Sequence, residues 1–150
     1  MTTRTTYSIK EAAALTGLPA STLRYYESIG VVPPVARGAS SGHRVYDEDD
    51  LDQLTWIACL AATGLSVGDM RQYVANGRLG PAAAGEQVVL LRRQEERLAA
   101  EAEQLALRRR YVRLKINYWS AVEAGDEARA ELRSTEARSL ADELKQARNH

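Results

Sequence analysis

Apolar residues recur every three or four positions along most of the chain, and one stretch in the N-terminal third breaks that rhythm. The segment Tyr7-Ser8-Ile9-Lys10-Glu11 opens the first helical run as a capping box: the Ser8 hydroxyl can accept from the Glu11 amide while the Glu11 carboxylate reaches back. This predicts a helix from about Ile9 to Thr16, stopped by Gly17. Pro19 with Ser21 then opens a second helix, Ala20 to Ile29, ending at Gly30. Two short helices joined by a tight turn that contains Gly form a helix-turn-helix pattern.

Between Val31 and Tyr46 the periodicity is lost. Pro33-Pro34, Gly38 and Ser40-Ser41-Gly42, followed by His43-Arg44-Val45-Tyr46, predict a short β-ribbon with a mobile tip, a wing. Asp47, with Asp50 three residues on, caps a helix whose apolar positions Leu51, Leu54, Ala58 and Ala62 carry it to Thr63 before Gly64. Ser66 and Asp69 start a shorter helix, expected to end at Val74 or Ala75 ahead of Asn76-Gly77. Gly80, Pro81 and Gly85 mark a boundary, and from Glu86 to Ala124 there is neither Gly nor Pro. That run predicts a helix of roughly 55 Å at about 1.5 Å per residue.

Within it Leu91, Leu98, Leu105, Val112 and Trp119 repeat every seven residues, with Val88, Ala102 and Ile116 at companion positions; Glu95 and Arg109 interrupt the stripe. Such a seam matches a two-stranded coiled coil, and left bare it would expose more apolar area than a monomer usually shows. A homodimer is the expectation. Antiparallel pairing is favoured because it brings Arg108-Arg109-Arg110 toward Glu95 and Glu96 of the second copy, although Arg92 and Arg93 then approach Arg113 and Lys115. Gly125-Asp126 ends the long helix and caps a final amphipathic one, running to about Gln146 with Leu132, Ala137, Leu140, Ala141 and Leu144 inward. The expected organisation is a DNA-binding domain at 1–80, a dimerisation helix at 81–125 and a C-terminal helix at 126–150.

Composition agrees with a mainly α chain carrying a small β wing: Phe is absent, and Ala, Leu, Glu and Arg dominate the second half. Charge narrows the possibilities further. Twenty basic residues balance twenty acidic ones, and residues 1–80 hold seven Lys/Arg against eight Asp/Glu, so contact with nucleic acid must rest on a few aimed groups rather than a global field. Met1 to Tyr7 shows no apolar signal core and no run approaches a membrane span, so a cytoplasmic location without a membrane partner is expected. Cys59 is the only cysteine, and with His43 and His150 it makes neither a disulfide nor a metal site within one chain. No Ser/His/Asp, paired-carboxylate or phosphate-loop constellation is present, so neither catalysis nor a cofactor is expected.

The second helix carries the sharpest chemistry. Projected at about 100° per residue, Ser21, Arg24, Tyr25 and Ser28 form one polar stripe, and Leu23, Tyr26 and Ile29 lie on the other side. Arg24 can pair with guanine or a phosphate, while the Ser21, Thr22 and Tyr25 hydroxyls suit phosphate oxygens. Arg37, His43 and Arg44 place cations on the thin wing, suited to a sugar-phosphate backbone or minor groove.

With these residues in view, the chain resembles the MerR family of bacterial transcription regulators. The resemblance rests on Tyr7-Ser8-Ile9-Lys10-Glu11-Ala12-Ala13, on Ser21-Thr22-Leu23-Arg24-Tyr25-Tyr26-Glu27, and on Gly30, Pro33, Arg37, Gly42, Arg44 and Tyr46. It covers about residues 6 to 75. It implies a winged helix-turn-helix homodimer on an inverted-repeat promoter operator, activating transcription with RNA polymerase by bending and untwisting the DNA. The implied contacts fall on Arg24 and Tyr25 with Ser21 or Thr22, and on Arg37 and Arg44 of the wing with His43 beside them. The alternatives are a non-sensing architectural or DNA-bending protein, a coiled-coil interaction protein, or a regulator with a small effector at the dimer junction near Tyr111, Tyr118 and Trp119.

Trp56, Cys59 and Leu60 form a second apolar strip on their helix, suggesting burial on two sides. Some MerR-type regulators that respond to aldehydes or other electrophiles resemble this chain in a lone cysteine just before a stretch like Leu60-Ala61-Ala62-Thr63-Gly64. Cys59 is therefore either a core residue or a sensor thiol.

Overall fold

A computed structural model describes residues 5–148; residues 1–4 and 149–150, His150 among them, lie outside the described residues. The elements run α1 (Ile9–Thr16), α2 (Ala20–Ser28), β1 (Ala36–Arg37), β2 (Arg44–Val45), α3 (Glu48–Ala62) and α4 (Val67–Leu79). A single 3-10 turn, Gly80–Ala83, leads into α5 (Ala84–Glu123), and α6 (Glu127–Arg148) follows. The chain divides into two compact units, one reaching Arg92 and the other starting at Arg93.

In the first unit the local signals act as expected. Ser8 Oγ accepts from Glu11 N at 3.2 Å and Ser8 N donates to the Glu11 carboxylate at 3.1 Å, closing the box on α1. Asp47 and Asp50 do the same on α3, at 2.8 and 3.0 Å. Gly17 ends α1 at φ 78°, a left-handed value that a side chain would oppose. Pro19 stands at the start of α2 with no side-chain cap, so Ser21 keeps its hydroxyl on the exposed face.

α1, α2, α3 and α4 enclose one core of Ala12, Leu23, Tyr26, Val31, Tyr46, Leu51, Leu54, Ile57, Met70 and Val74, which Leu90 from the start of α5 also joins. β1 and β2 pair antiparallel, Ala36 with Val45 and Arg37 with Arg44. A third extended segment joins them: Tyr7 and Tyr46 form an antiparallel bridge, with N–H to C=O distances of 2.8 and 2.9 Å. The N-terminal approach to α1 therefore pins the end of the wing to the core.

Three sequence expectations are corrected here. α4 does not stop ahead of Asn76-Gly77 but continues to Leu79. Asn76 is buried, and its amide is used sideways: it accepts from Gln72 Nε2 at 2.7 Å and donates to Gln87 Oε1 at 3.1 Å, while Gln87 Nε2 donates to the Tyr73 carbonyl at 2.9 Å. With its polar group satisfied by neighbouring side chains, Asn76 has no need to cap. The stop falls instead at Gly80, φ 65°, before Pro81.

The second correction concerns α3. Its buried face is Leu51, Leu54 and Ile57, whereas Trp56 and Cys59 are exposed and Leu60 is only partly buried. α1 and α4 both pack on α3, and at 100° per residue Trp56 and Cys59 project away from the face they cover. Burial of Cys59 on two sides is therefore not observed in the chain.

In the second unit α5 and α6 pack through Leu114, Ala137 and Leu140, with Leu107 and Tyr111 beside them. Gly125, at φ 72°, makes the turn, and Asp126 caps α6 by accepting from Arg129 N at 3.0 Å. Leu132, expected inward, is exposed, and the third correction is that Ala130 takes the buried place in the first turns of α6. Along α5 the heptad positions Leu91, Leu98, Leu105, Val112, Ile116 and Trp119 are all exposed, from 39% to 63%. No helix among the described residues is long and apolar enough to cross a membrane.

Candidate nucleic-acid interface

α2 is amphipathic in the required sense. Leu23 and Tyr26 are buried and fix its orientation, Ile29 packs at the core edge, and Ser21, Arg24 and Tyr25 stand exposed with Thr22 half-buried beside them. The Tyr25 and Tyr26 rings sit 6.2 Å apart and tilted, so the buried ring limits where the exposed one can lie. Ser28 is not available as a donor to a ligand, because its hydroxyl already donates to the Tyr25 carbonyl at 2.7 Å. No hydrogen bond or ion pair among the described residues holds the exposed Arg24 guanidinium.

The wing is built by backbone bonds at its tip. Gly38 N donates to the His43 carbonyl and Gly42 N to the Gly38 carbonyl, both at 2.9 Å. Gly42 takes φ 68°, which favours glycine, and a Cβ on Gly38 would fall 2.7 Å from Ser41 Oγ, so a side chain there would make Ser41 turn away. Arg37 Nη1 donates to the Gly42 carbonyl at 3.1 Å, bracing the tip while the rest of its guanidinium faces outward. His43 is exposed at the same tip.

Arg44 is placed differently. Its Nε donates to Glu27 Oε2 of α2 at 2.7 Å, with only 20% and 13% of the two side chains exposed. The wing is thereby bolted to the polar helix by a charge-assisted hydrogen bond spanning 17 residues of sequence. Tyr46, directly after the wing strand, is almost wholly buried, and burial raises the pKa of its hydroxyl, opposed by the nearby charges of Arg44 and Arg24. Tyr7 donates to Glu48 Oε1 at 2.6 Å, and this bond is the main reason its hydroxyl also titrates above its ordinary value. Sequence reasoning missed Glu27 and Tyr7 as parts of this assembly. Glu27 lies one turn beyond Leu23 and Arg24, and its charge beside a cationic stripe was the available clue.

The structure thus brings Ser21, Thr22, Arg24 and Tyr25 onto one helix face and connects Arg44 of the wing to that helix. Arg37 and His43 stand at the wing tip. Cys59 lies on α3, outside this set. Arg71 and Arg78 are exposed on α4, whose first turn is capped by Ser66 accepting from Asp69 N at 3.1 Å. Among the described residues, no group of three or more His, Cys, Asp or Glu side chains could hold a metal ion.

Residues 7–77 match the family model described as MerR HTH family regulatory protein. An uncharacterized HTH-type transcriptional regulator from Haemophilus influenzae is 30% identical over 100 residues, covering 67% of this chain and 73% of the relative. The chain belongs to the MerR family. The MerR match begins at the Tyr7 segment and ends within α4, so it takes in the helix pair, the wing and both helices behind it. Among other relatives, the AdhR regulator of Bacillus subtilis is 44% identical over 66 residues, which cover 44% of this chain and 46% of that one. The YyaN regulator of the same organism is 42% identical over 71 residues, 47% and 51% of the two chains. The chain therefore spans about half the length of these curated MerR relatives.

Solved MerR structures extend the likeness along the chain. HiNmlR, described as a MerR family regulator lacking the sensor domain and bound to promoter DNA, matches with a TM-score of 0.63 at 27% identity, over 80% of this chain and 94% of that one. A MerR family transcriptional regulator from Listeria monocytogenes matches at 0.67 and 28%, over 89% and 98%.

Proposed function

We propose that this protein is a sequence-specific, DNA-binding transcription regulator that acts as a homodimer on an inverted-repeat promoter operator in the cytoplasm. In this reading it activates transcription with RNA polymerase by distorting the promoter DNA. The observation that carries it is the exposed Ser21, Arg24 and Tyr25 face of α2, with Arg24 in no hydrogen bond or ion pair among the described residues and the helix joined to a cationic wing. The likeness to a family member solved on promoter DNA supports the same reading.

Arg24 is assigned to a base edge or phosphate in the major groove, and Tyr25, Ser21 and Thr22 to phosphates that set register. Arg37 and His43 serve as backbone or minor-groove contacts at the wing tip. Arg44 is assigned chiefly to positioning: its bond to Glu27 sets the wing at the angle that lets both elements meet one duplex. Glu27→Gln separates positioning from charge. Removing an acid beside a phosphate surface should tighten DNA binding if only the field mattered, whereas loss of the bolt should weaken operator binding by about tenfold, at a cost of ~1–3 kcal/mol for an unpaired partner. Fluorescence anisotropy on operator DNA reads the sign directly, and tighter binding by the variant rejects the positioning role.

The exposure of Cys59 favours a second, compatible role as a thiol sensor of electrophiles, since an attacking thiolate needs access. Alkylation by N-ethylmaleimide or an aldehyde is expected to alter operator binding or promoter activity in the native chain and to leave Cys59→Ser unaffected. An equal response in the serine variant removes the sensor role.

A further inference from the structure

The second unit contains a groove between α5 and α6 with a volume of about 320 Å³. Leu107 and Tyr111 of α5 and Leu144 of α6 give it an apolar floor, and Arg108, Lys145 and Arg148 stand around it. Among the described residues no Asp or Glu lines it, in a chain where acids and bases are equal in number. Lys145 and Arg148 lie in the last turn of α6, where cations complement the negative end of the helix dipole. Arg108 comes from the middle of α5, where no helix end calls for a cation; it lines this groove and also a neighbouring one with Arg109, Val112 and Arg113. No ion pair among the described residues engages any of the three.

The apolar floor of the groove is separate from the heptad seam. At about 100° per residue, Leu107 and Leu114 project roughly 160–180° away from Leu105, so a second copy seated on Leu98, Leu105 and Val112 leaves the floor open, whereas Arg108, about 60° from Leu105, flanks the seam. Its volume is near the lower end of the ~300–1,000 Å³ range of small-molecule sites, which are apolar clefts with a few convergent polar groups.

We propose that this groove is a binding site for an amphipathic organic anion, a carboxylate carrying an alkyl or aromatic body. The carboxylate meets Arg108 with Lys145 or Arg148, where a planar guanidinium can donate two parallel hydrogen bonds, and the apolar body lies on Leu107, Tyr111 and Leu144. Lys115, with its Nζ 5.6 Å from the Tyr111 ring centroid, restrains that ring and adds to the positive field. Binding here requires neither DNA nor the α2 face.

Isothermal titration of the full chain with decanoate and with 2-naphthoate tests the site, with decylamine and inorganic phosphate as probes of charge sign and of a bare-anion site. The expected result is one carboxylate bound per chain, at least tenfold weaker in Arg108→Gln/Lys145→Gln, and unchanged in Arg71→Gln, which removes an exposed cation on α4. All three substitutions replace exposed side chains, and circular dichroism verifies that the fold is kept. The proposal is overturned if neither carboxylate binds at millimolar concentration, if the double variant binds as the native chain does, or if decylamine or phosphate binds equally well.

Discussion

Leu105→Glu is expected to convert the protein from dimer to monomer at micromolar concentration while α5 stays helical. Leu105 lies mid-way along the exposed heptad stripe of α5, and more than half of its surface is open in the single chain. In a paired seam the substitution sets two carboxylates, one from each copy, among apolar seam positions such as Leu98 and Ala102. Burying an unpaired charge costs several kcal/mol, and a loss of ~4 kcal/mol is about a thousandfold in dimer dissociation. Leu105→Met, which conserves volume, should remain dimeric. Sedimentation equilibrium distinguishes the outcomes, and a Leu105→Glu chain that stays dimeric would show that the copies pair elsewhere. Operator affinity should fall with the dimer, because two modest half-sites gain most of their strength from being joined.

Arg24→Ala is expected to lower operator affinity by at least about 30-fold without changing oligomeric state or melting temperature. Arg24 is exposed and is held by no hydrogen bond among the described residues, so its removal leaves no buried partner among them unsatisfied. A guanidinium on a base edge is worth ~1–3 kcal/mol, and the dimer loses two of them. If Arg24 reads a base, affinity for the operator falls more than affinity for scrambled DNA. If it meets a phosphate, both fall together and the salt dependence becomes shallower. Unchanged affinity for both DNAs would remove α2 from the interface.

What could be read from the sequence follows the range of the interactions involved. The capping boxes at Ser8/Glu11 and Asp47/Asp50 lie within four residues, so the starts of α1 and α3 were legible. The apolar side of α2 was also legible, because Leu23 and Tyr26 are fixed by helical period alone. The end of α4 was not: Asn76 reads locally as a stop, and only its contacts with Gln72 and Gln87 reverse that reading. Cys59 is legible only in part for a related reason, since apolar spacing with Trp56 and Leu60 describes a strip but not what covers it, and within the single chain Cys59 is exposed. At the candidate interface, residue identity suggested that Arg44 meets DNA. Its bond to Glu27, 17 residues away, gives it a structural duty that composition and spacing do not reveal.

Specific, salt-dependent DNA binding is the most direct test of the proposed function. Genomic fragments retained by the full chain supply an inverted repeat, and anisotropy titrations compare it with a scrambled duplex across a salt series. The account predicts at least a thousandfold preference for the inverted repeat, with affinity for both duplexes falling steeply as salt rises. Equal affinity for the two duplexes, or none that responds to salt, would contradict it.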